Sequence, residues 1–254
     1  WFRKMPEAQI IATDKKDTPE TLSNRLLSRL PNVAACVLAI FLVLGFGSKS
    51  EAKNISHDFE QAKNLFLKKE WGKAKNQLLA IQNTAPDTIE SKRSRFLLGL
   101  LHIENKKYDK AIEALSPLVK KYPEIEDYIL LNLAKAESSD KKHEQAQTHI
   151  LQLLKSFPYT QLYPEAQIIL ADTYIQSKDE IKAEEVLLES IATLKNSFYH
   201  KSFRPYLPEL IFKLATHQEK LGKKNEAYLN YRQLPIKYPN HELTPDAETA
   251  LKKL

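Results

Sequence analysis

The residues best suited to chemistry are histidines and glutamates near the middle of the chain. His143 and Glu144 are followed by His149, a set that invites comparison with the helical motif of zinc metalloproteases. In that motif the two histidines are four residues apart and share one face of the helix. Here the second histidine lies six residues after the first, about 240° around a helix, so the two cannot bind one metal. We therefore predict no metal centre and no cofactor.

Three glutamates are each followed by a serine: Glu90, Glu137 and Glu189. Each falls within or at the start of a predicted helix, so we interpret all three as ordinary helical carboxylates. A phosphate-binding glycine loop is excluded over most of the chain, because no glycine occurs between Gly99 and Gly222. The sequence thus predicts no catalytic residues.

Two groups of residues are better candidates for binding than for catalysis. The first is an aromatic and basic cluster in a long connector: Phe198, Tyr199, Phe203, Arg204 and Tyr206. Such residues suit stacking on sugar rings or packing against another domain, and the alternative is a longer helix with an unusual connector. The second is an apolar set at helical spacing, either a ligand-binding stripe or plain core: Phe59, Phe96, Leu131, Ile168 and Phe212.

The elements that carry these residues follow from a regular spacing of small side chains. Five pairs of small residues are separated by twelve positions: Ala62/Ala74, Gly99/Ala111, Ala134/Ala146, Ala171/Ala183 and Ala215/Ala227. A proline follows the second member by twelve more residues at Pro86, Pro123, Pro158 and Pro239. Antiparallel helices approach closely where a side chain is Ala or Gly, and proline ends a helix. The pattern predicts an all-α solenoid of about five helical hairpins, similar to tetratricopeptide repeats.

Turns between the paired helices are predicted at Trp71-Gly72, Asn105-Lys106-Lys107, Ser139-Asp140, Lys178-Asp179 and Leu221-Gly222. Apolar residues four positions after each second alanine complete an amphipathic spacing. The second alanines are 37, 35, 37 and 44 residues apart. The longest interval contains the aromatic connector, and repeat arrays place their insertions in loops that often belong to a binding face.

Composition and charge exclude several classes of function. The formal charge of +6 is small and interspersed over 254 residues, so we predict no nucleic-acid partner. The single cysteine, Cys36, rules out a disulfide framework. It follows Val33-Ala34-Ala35, which superficially matches a lipoprotein acceptor site, but most of the apolar run follows the cysteine instead of preceding it.

The N-terminal region has the order of an export signal. We predict a disordered segment over residues 1–24 and a signal peptide or membrane anchor over residues 25–52. Arg25 and Arg29 precede an uncharged run over residues 33–47, and Ser50-Glu51-Ala52 supplies small residues at a cleavage site. The run is short for a membrane-spanning helix, although an uncleaved anchor or a buried helix remains an alternative. Both export alternatives predict that the repeat domain, residues 53–254, is periplasmic, with membrane contact only through residues 33–47.

The last segment, Thr244–Leu254, begins with Thr-Pro-Asp-Ala-Glu, which is typical of a helix start. It predicts the first helix of a sixth unit that is cut short, so we expect the repeat domain to be truncated at its C-terminal side.

Several segments resemble the N-terminal superhelical region of bacterial soluble lytic transglycosylases, enzymes that cleave peptidoglycan. The resemblance rests on Arg95-Phe96-Leu97-Leu98-Gly99-Leu100, Tyr122-Pro123-Glu124-Ile125-Glu126-Asp127-Tyr128, Leu154-Lys155-Ser156-Phe157-Pro158-Tyr159-Thr160, Pro164-Glu165-Ala166 and Tyr238-Pro239. In that family a separate catalytic domain carries a Glu-Ser motif and then a Gly-Leu-Met-Gln motif. The only methionine here is Met5, so this chain cannot contain the second motif.

The resemblance implies a non-catalytic scaffold of the cell envelope that positions peptidoglycan or another envelope protein. The alternative is a stand-alone repeat protein that binds partner proteins in outer-membrane assembly or cell division.

Overall fold

The computed structural model describes residues 50–196 and 201–254. Over these residues the chain forms α-helices in consecutive hairpins and no β-strand. The helices are α1 (Ser50–Leu67), α2 (Trp71–Thr84), α3 (Ile89–Glu104), α4 (Tyr108–Leu115), α5 (Glu126–Ser139), α6 (His143–Ser156), α7 (Tyr163–Gln176), α8 (Glu180–Asn196), α9 (Leu207–Lys220), α10 (Lys224–Tyr231), α11 (Gln233–Lys237) and α12 (Thr244–Leu251). The predicted all-α solenoid of helical hairpins is confirmed.

The small residues lie where the two helices of each hairpin meet. All nine alanines of the five pairs are fully buried, and Gly99 is also buried. A Cβ added at Gly99 would lie 2.5 Å from the Cγ and Cδ2 atoms of Leu115 on α4. The helices of this hairpin are therefore so close that even a methyl group has no space, which explains the glycine at this position.

Each first helix of a hairpin ends in the same hydrogen-bonded turn. At the end of α1 the amide of Lys69 donates to the carbonyl of Phe66, and that of Glu70 donates to Leu65. This pair of bonds defines a Schellman motif, whose central residue takes a left-handed conformation. The central residues have φ between 55° and 75° and lie five positions before each second alanine: Lys69, Lys106, Lys141, Lys178 and Gly222.

One predicted turn is wrong and the other four fall at or beside the observed turns. Trp71 and Gly72 are the first two residues of α2, and the turn lies one to three residues earlier, around Lys69. Gly72 has a negative φ, and nothing lies within 4 Å of where its Cβ would be. The glycine was misleading because the left-handed position of this turn is occupied by a lysine.

Two second helices are interrupted by prolines within them. After α4 the chain continues as a 3₁₀ turn, Ser116–Leu118, that contains Pro117, and Pro235 lies in the short helix α11. A proline cannot donate the backbone hydrogen bond that a continuous α-helix needs. The second helices of these two repeats are consequently built from two short segments.

The segment between α8 and α9 includes a 3₁₀ helix, Lys201–Tyr206. Phe203 of this helix is buried in a core to which every helix from α7 to α12 contributes. Helix α12 contributes Ala247 to the same core, while Asp246 and Glu248 of this helix are exposed. The predicted final helix thus forms, and it covers the apolar side of the last hairpin.

The predicted export signal lies almost entirely outside the described residues. This applies to the predicted disordered segment over residues 1–24, to the apolar run over residues 33–47 and to Cys36. Within residues 50–196 and 201–254, no helix combines the length and the apolar character needed to cross a bilayer.

Candidate binding cleft

A cleft of about 440 Å³ lies between the first helices of the last two hairpins. Helix α7 contributes Asp172 and Ile175, and the segment 241–243 before α12 closes the other side. The largest share comes from α9, through Glu209, Phe212, Lys213, Thr216, His217 and Lys220. These α9 residues recur every three or four positions and so form one face of the helix, while Leu210, Ile211 and Leu214 pack into the core on the other side.

Ion pairs connect successive first helices along this face. The Nζ atom of Lys135 on α5 lies 2.6 Å from the carboxylate of Glu165 on α7. The Nζ atom of Lys213 on α9 lies 2.7 Å from the carboxylate of Asp172, also on α7. Partly exposed pairs of this kind add little stability, but they fix the positions of the charged groups on this face.

The floor of the cleft is polar and ordered. His217 is buried, and its Nε2 atom lies 3.1 Å from the backbone oxygen of Glu180. The hydroxyl of Thr216 donates to the backbone oxygen of Phe212 at 2.9 Å. The ring of Phe212 meets that of Tyr231 edge-on at 5.5 Å, so the phenyl ring that lines the cleft is held in place by the core behind it.

Glu209 is a half-buried carboxylate of the cleft, as Asp172 is, but it has no ion pair or hydrogen bond to the side chains that the structure describes around it. Burial raises the pKa of Glu209 above its ordinary value; Lys213 and His241 act in the opposite direction, and Asp172 and Glu165 add to the increase. Lys213 cannot compensate fully, because its ammonium group contacts Asp172.

The predicted apolar stripe lies mostly in the core. Phe96 and Leu131 are 2% and 0% exposed, so they cannot meet a ligand on the surface. Ile168 and Phe212 are partly buried and pack against the C-terminal core. Phe212 alone of the predicted set lines the cleft.

The residues of the predicted aromatic connector lie in different environments. Phe198 and Tyr199 lie outside the described residues. Phe203 is 6% exposed, so it serves the core and cannot stack on a ligand. Arg204 and Tyr206 are exposed, and a terminal nitrogen of Arg204 donates to the backbone oxygen of Lys195 at 3.4 Å. Arg204 and Tyr206 are the members of this set that the structure places on the surface.

Glu137 and His149, two of the residues considered for chemistry, form a contact between the helices of a hairpin. The carboxylate of Glu137 is buried and lies 2.7 Å from the Nδ1 atom of His149, across the hairpin of α5 and α6. The fifth hairpin has a similar contact, in which the amide of Asn230 donates to Gln218 at 2.8 Å. Over the described part of the chain, no three His, Cys, Asp or Glu side chains form a group that could bind a metal ion.

Sequence reasoning missed the charged residues of the cleft, Asp172, Glu209 and Lys213. The signal that could have identified them is the repeat register itself. Asp172 follows the first small residue of its hairpin by one position, and Glu209 precedes that of the next hairpin by six. Aligning the five hairpins on their small residues would have placed these side chains on one face.

A family profile described as tetratricopeptide repeat matches residues 93–124 and 209–241. The matched segments cover most of α3 with α4, and most of α9 with α10 and α11, which are two of the hairpins described above. The chain carries tetratricopeptide repeats. Comparison with curated proteins gave no match.

Solved structures of other tetratricopeptide-repeat proteins share the fold. TPR-like repeats from Podosopora anserina superpose with a TM-score of 0.61 at 15% identity, covering 82% of this chain and 100% of that one. A tetratricopeptide repeat protein from Parabacteroides merdae gives a TM-score of 0.64 at 16% identity, with coverages of 79% and 73%. MamA from Desulfovibrio magneticus gives 0.59 at 10% identity, with coverages of 77% and 96%. At these identities the likeness concerns the fold alone.

Proposed function

We propose that this tetratricopeptide-repeat chain is a scaffold that binds a segment of a partner protein in the cleft between α7 and α9. The observation that carries the proposal is the composition of this cleft, in which apolar side chains lie among charged ones on the surface formed by the first helices α5, α7 and α9, here called the first-helix face. Helical repeat arrays commonly use such extended faces for binding. A few placed polar groups among apolar ones give a site both affinity and specificity.

The side chains of the cleft suit a peptide better than a small rigid ligand. Phe212, Ile175 and Leu243 offer apolar contact, while Asp172 and Lys213 offer a fixed acceptor and donor beside it. The first-helix face continues beyond the cleft to the ion pair of Lys135 and Glu165. An extended segment could therefore contact more than one repeat.

Selection of peptides from a random phage-displayed library tests this proposal. Each enriched peptide is titrated against the parent protein, a Lys220→Glu variant and a Lys155→Glu variant. Both lysines are exposed in the last turn of a helix, but Lys220 lines the cleft and Lys155 is on α6. We expect Lys220→Glu to change Kd by about five-fold or more, in the direction set by the charge of the peptide, and Lys155→Glu to leave it unchanged. No enriched peptide, or equal effects of both variants, would contradict the proposal.

The scaffold is proposed to act in the cell envelope, after export through residues 25–52. The support is the order of basic, apolar and small residues from Arg25 to Ala52 in the sequence. Expression in a Gram-negative host followed by intact-mass analysis of the periplasmic fraction tests this. Cleavage predicts Lys53 as the N-terminal residue, and anchoring predicts the full-length chain in the inner membrane. Full-length protein found only in the soluble cytoplasmic fraction would contradict both.

A role in positioning peptidoglycan for a lytic transglycosylase is the second candidate. It is supported by the resemblance described above and by the exposure of Tyr206 and Arg204 beside α9. A pull-down with peptidoglycan sacculi tests it with Tyr206→Ala against Tyr228→Ala, two tyrosines that are 41% and 43% exposed. Weaker binding only for Tyr206→Ala is expected, because the ring would stack on sugar. Equal binding of both variants would leave the protein-binding scaffold as the better account.

A further inference from the structure

The carboxylates on the first-helix face differ in whether they form an ion pair with a lysine side chain. Glu165 is paired with Lys135, and Asp172 is paired with Lys213. Glu209 has no such partner within the described residues, although it is half-buried in the cleft. Burying a carboxylate without a partner costs free energy, so its presence here requires a reason.

Lys213 is the cation best placed to compensate the charge of Glu209, and it does so only in part. It follows Glu209 by one helical turn on α9, a spacing at which the two side chains are neighbours. Its Nζ atom lies instead 2.7 Å from Asp172 on α7. Glu209 therefore lines the cleft with no ion pair among the described residues and with its charge only partly compensated.

We propose that Glu209 binds the basic side chain, arginine or lysine, of a segment of the partner protein. This inference rests on the proposed scaffold function and names the chemistry of its ligand. The aliphatic part of an arginine or lysine side chain can pack on apolar surface while its charged end reaches an acceptor. Phe212, Ile175 and Leu243 supply that surface in the same cleft, and a carboxylate can accept two hydrogen bonds from a guanidinium group.

The electrostatics of Glu209 predict that the residue costs stability in the free protein. Burial raises the pKa of Glu209, and the nearby charges of Lys213, His241, Asp172 and Glu165 leave the net shift upward. A carboxyl group with a raised pKa stabilises the fold below its unfolded pKa and loses that contribution as pH rises through the folded value. At neutral pH the ionised group therefore destabilises the fold, and glutamine at this position is expected to raise the Tm.

The experiment measures binding and stability on the same two variants, Glu209→Gln and Glu144→Gln. Both glutamates lie in the first turn of a helix, but Glu144 is exposed on α6, away from the cleft. The probes are two fluorescein-labelled hexapeptides with blocked ends, one with arginine between two leucines and one with glutamine in its place. Kd comes from fluorescence anisotropy, and Tm at pH 7 from circular dichroism.

The parent and Glu144→Gln are expected to bind the arginine peptide about ten-fold more tightly than the glutamine peptide, as for a charge-assisted hydrogen bond. Glu209→Gln is expected to lose this preference and to have a higher Tm than the parent. A merely structural role for Glu209 predicts a lower Tm. Equal binding of both peptides to the parent overturns the inference and leaves the scaffold function standing if library peptides still bind the cleft. An arginine preference that survives in Glu209→Gln also overturns it.

Discussion

At the scale of single residues, the left-handed lysines are positions where the chain is not optimised for stability. Lys141 has a φ of 64° at the centre of the turn between α5 and α6. A side chain in this conformation costs about 1–2 kcal/mol relative to a right-handed one, and glycine avoids that cost. The fifth hairpin has glycine at the equivalent position, Gly222.

Lys141→Gly is accordingly expected to raise the free energy of unfolding by about 0.5–1 kcal/mol. Lys155→Gly, within the last turn of α6, is expected to lower it by a similar amount, because glycine is a poor helix former. Urea unfolding of both variants measures the two effects. The same sign for both would show that backbone conformation does not decide the outcome.

Buried Gly99 and exposed Gly72 are opposite extremes of glycine packing and give a second prediction at this scale. Gly99→Ala places a methyl group 2.5 Å from Leu115, and overpacking of this kind costs about 1–3 kcal/mol. The better helix propensity of alanine offsets about 1 kcal/mol of that cost. We expect a net loss of about 1 kcal/mol in the free energy of unfolding.

Gly72→Ala is the matched control, since nothing lies within 4 Å of the new Cβ. This variant is expected to be as stable as the parent or slightly more stable, because only the propensity term remains. Thermal unfolding of both proteins compares them directly. A Gly99→Ala protein that matches Gly72→Ala would contradict the close approach of α3 and α4.

The sequence predicted the role of a residue well where that role follows from its position within the repeat. Alanine pairs such as Ala134 and Ala146 are predictable because close helix contact requires small side chains wherever the contact occurs. The position of the first turn was misjudged, because Gly72 drew the prediction into α2 while the left-handed residue of that turn is Lys69. The hydrogen bonds of the turn outweigh the local preference of the side chain there.

At the scale of elements, the hairpin contact itself can be tested. Ala146 is fully buried between α5 and α6. Ala146→Leu is expected to lower the free energy of unfolding by about 1–3 kcal/mol, because the larger side chain forces the paired helices apart. Gln145→Leu adds a leucine at the adjacent exposed position of the same helix and should change stability by less than about 0.5 kcal/mol.

Chemical denaturation of the two leucine variants distinguishes register from hydrophobicity. If Ala146→Leu unfolds at the same urea concentration as the parent, the alanine does not lie in the contact between the helices.

The breaks in the second helices at Pro117 and Pro235 could have been expected from the sequence, since proline removes a hydrogen-bond donor wherever it falls inside a helix.

At the scale of the whole chain, the solenoid was predicted from the sequence and the cleft was missed. A repeat of about 35 residues follows from spacing along the sequence, and the stacking of neighbouring hairpins follows from the repeat. The ion pair of Asp172 with Lys213 joins residues 41 positions apart, so it depends on how two repeats are aligned. Phe203 was predicted to bind a ligand, but it is buried in the core. Its burial also depends on how neighbouring repeats are aligned, which the local sequence does not show.

The central claim is that the cleft beside α9 contacts a partner protein, and site-specific photo-crosslinking in cells tests it most directly. A photoreactive phenylalanine analogue is placed at Thr216 in the cleft, or at Gln145 on the exposed side of α6 as the control. The account predicts a discrete crosslinked product of higher mass from position 216 only, with the crosslinked partner peptide carrying an arginine or lysine. Equal crosslinking from both positions, or crosslinking from position 145 alone, would contradict the claim.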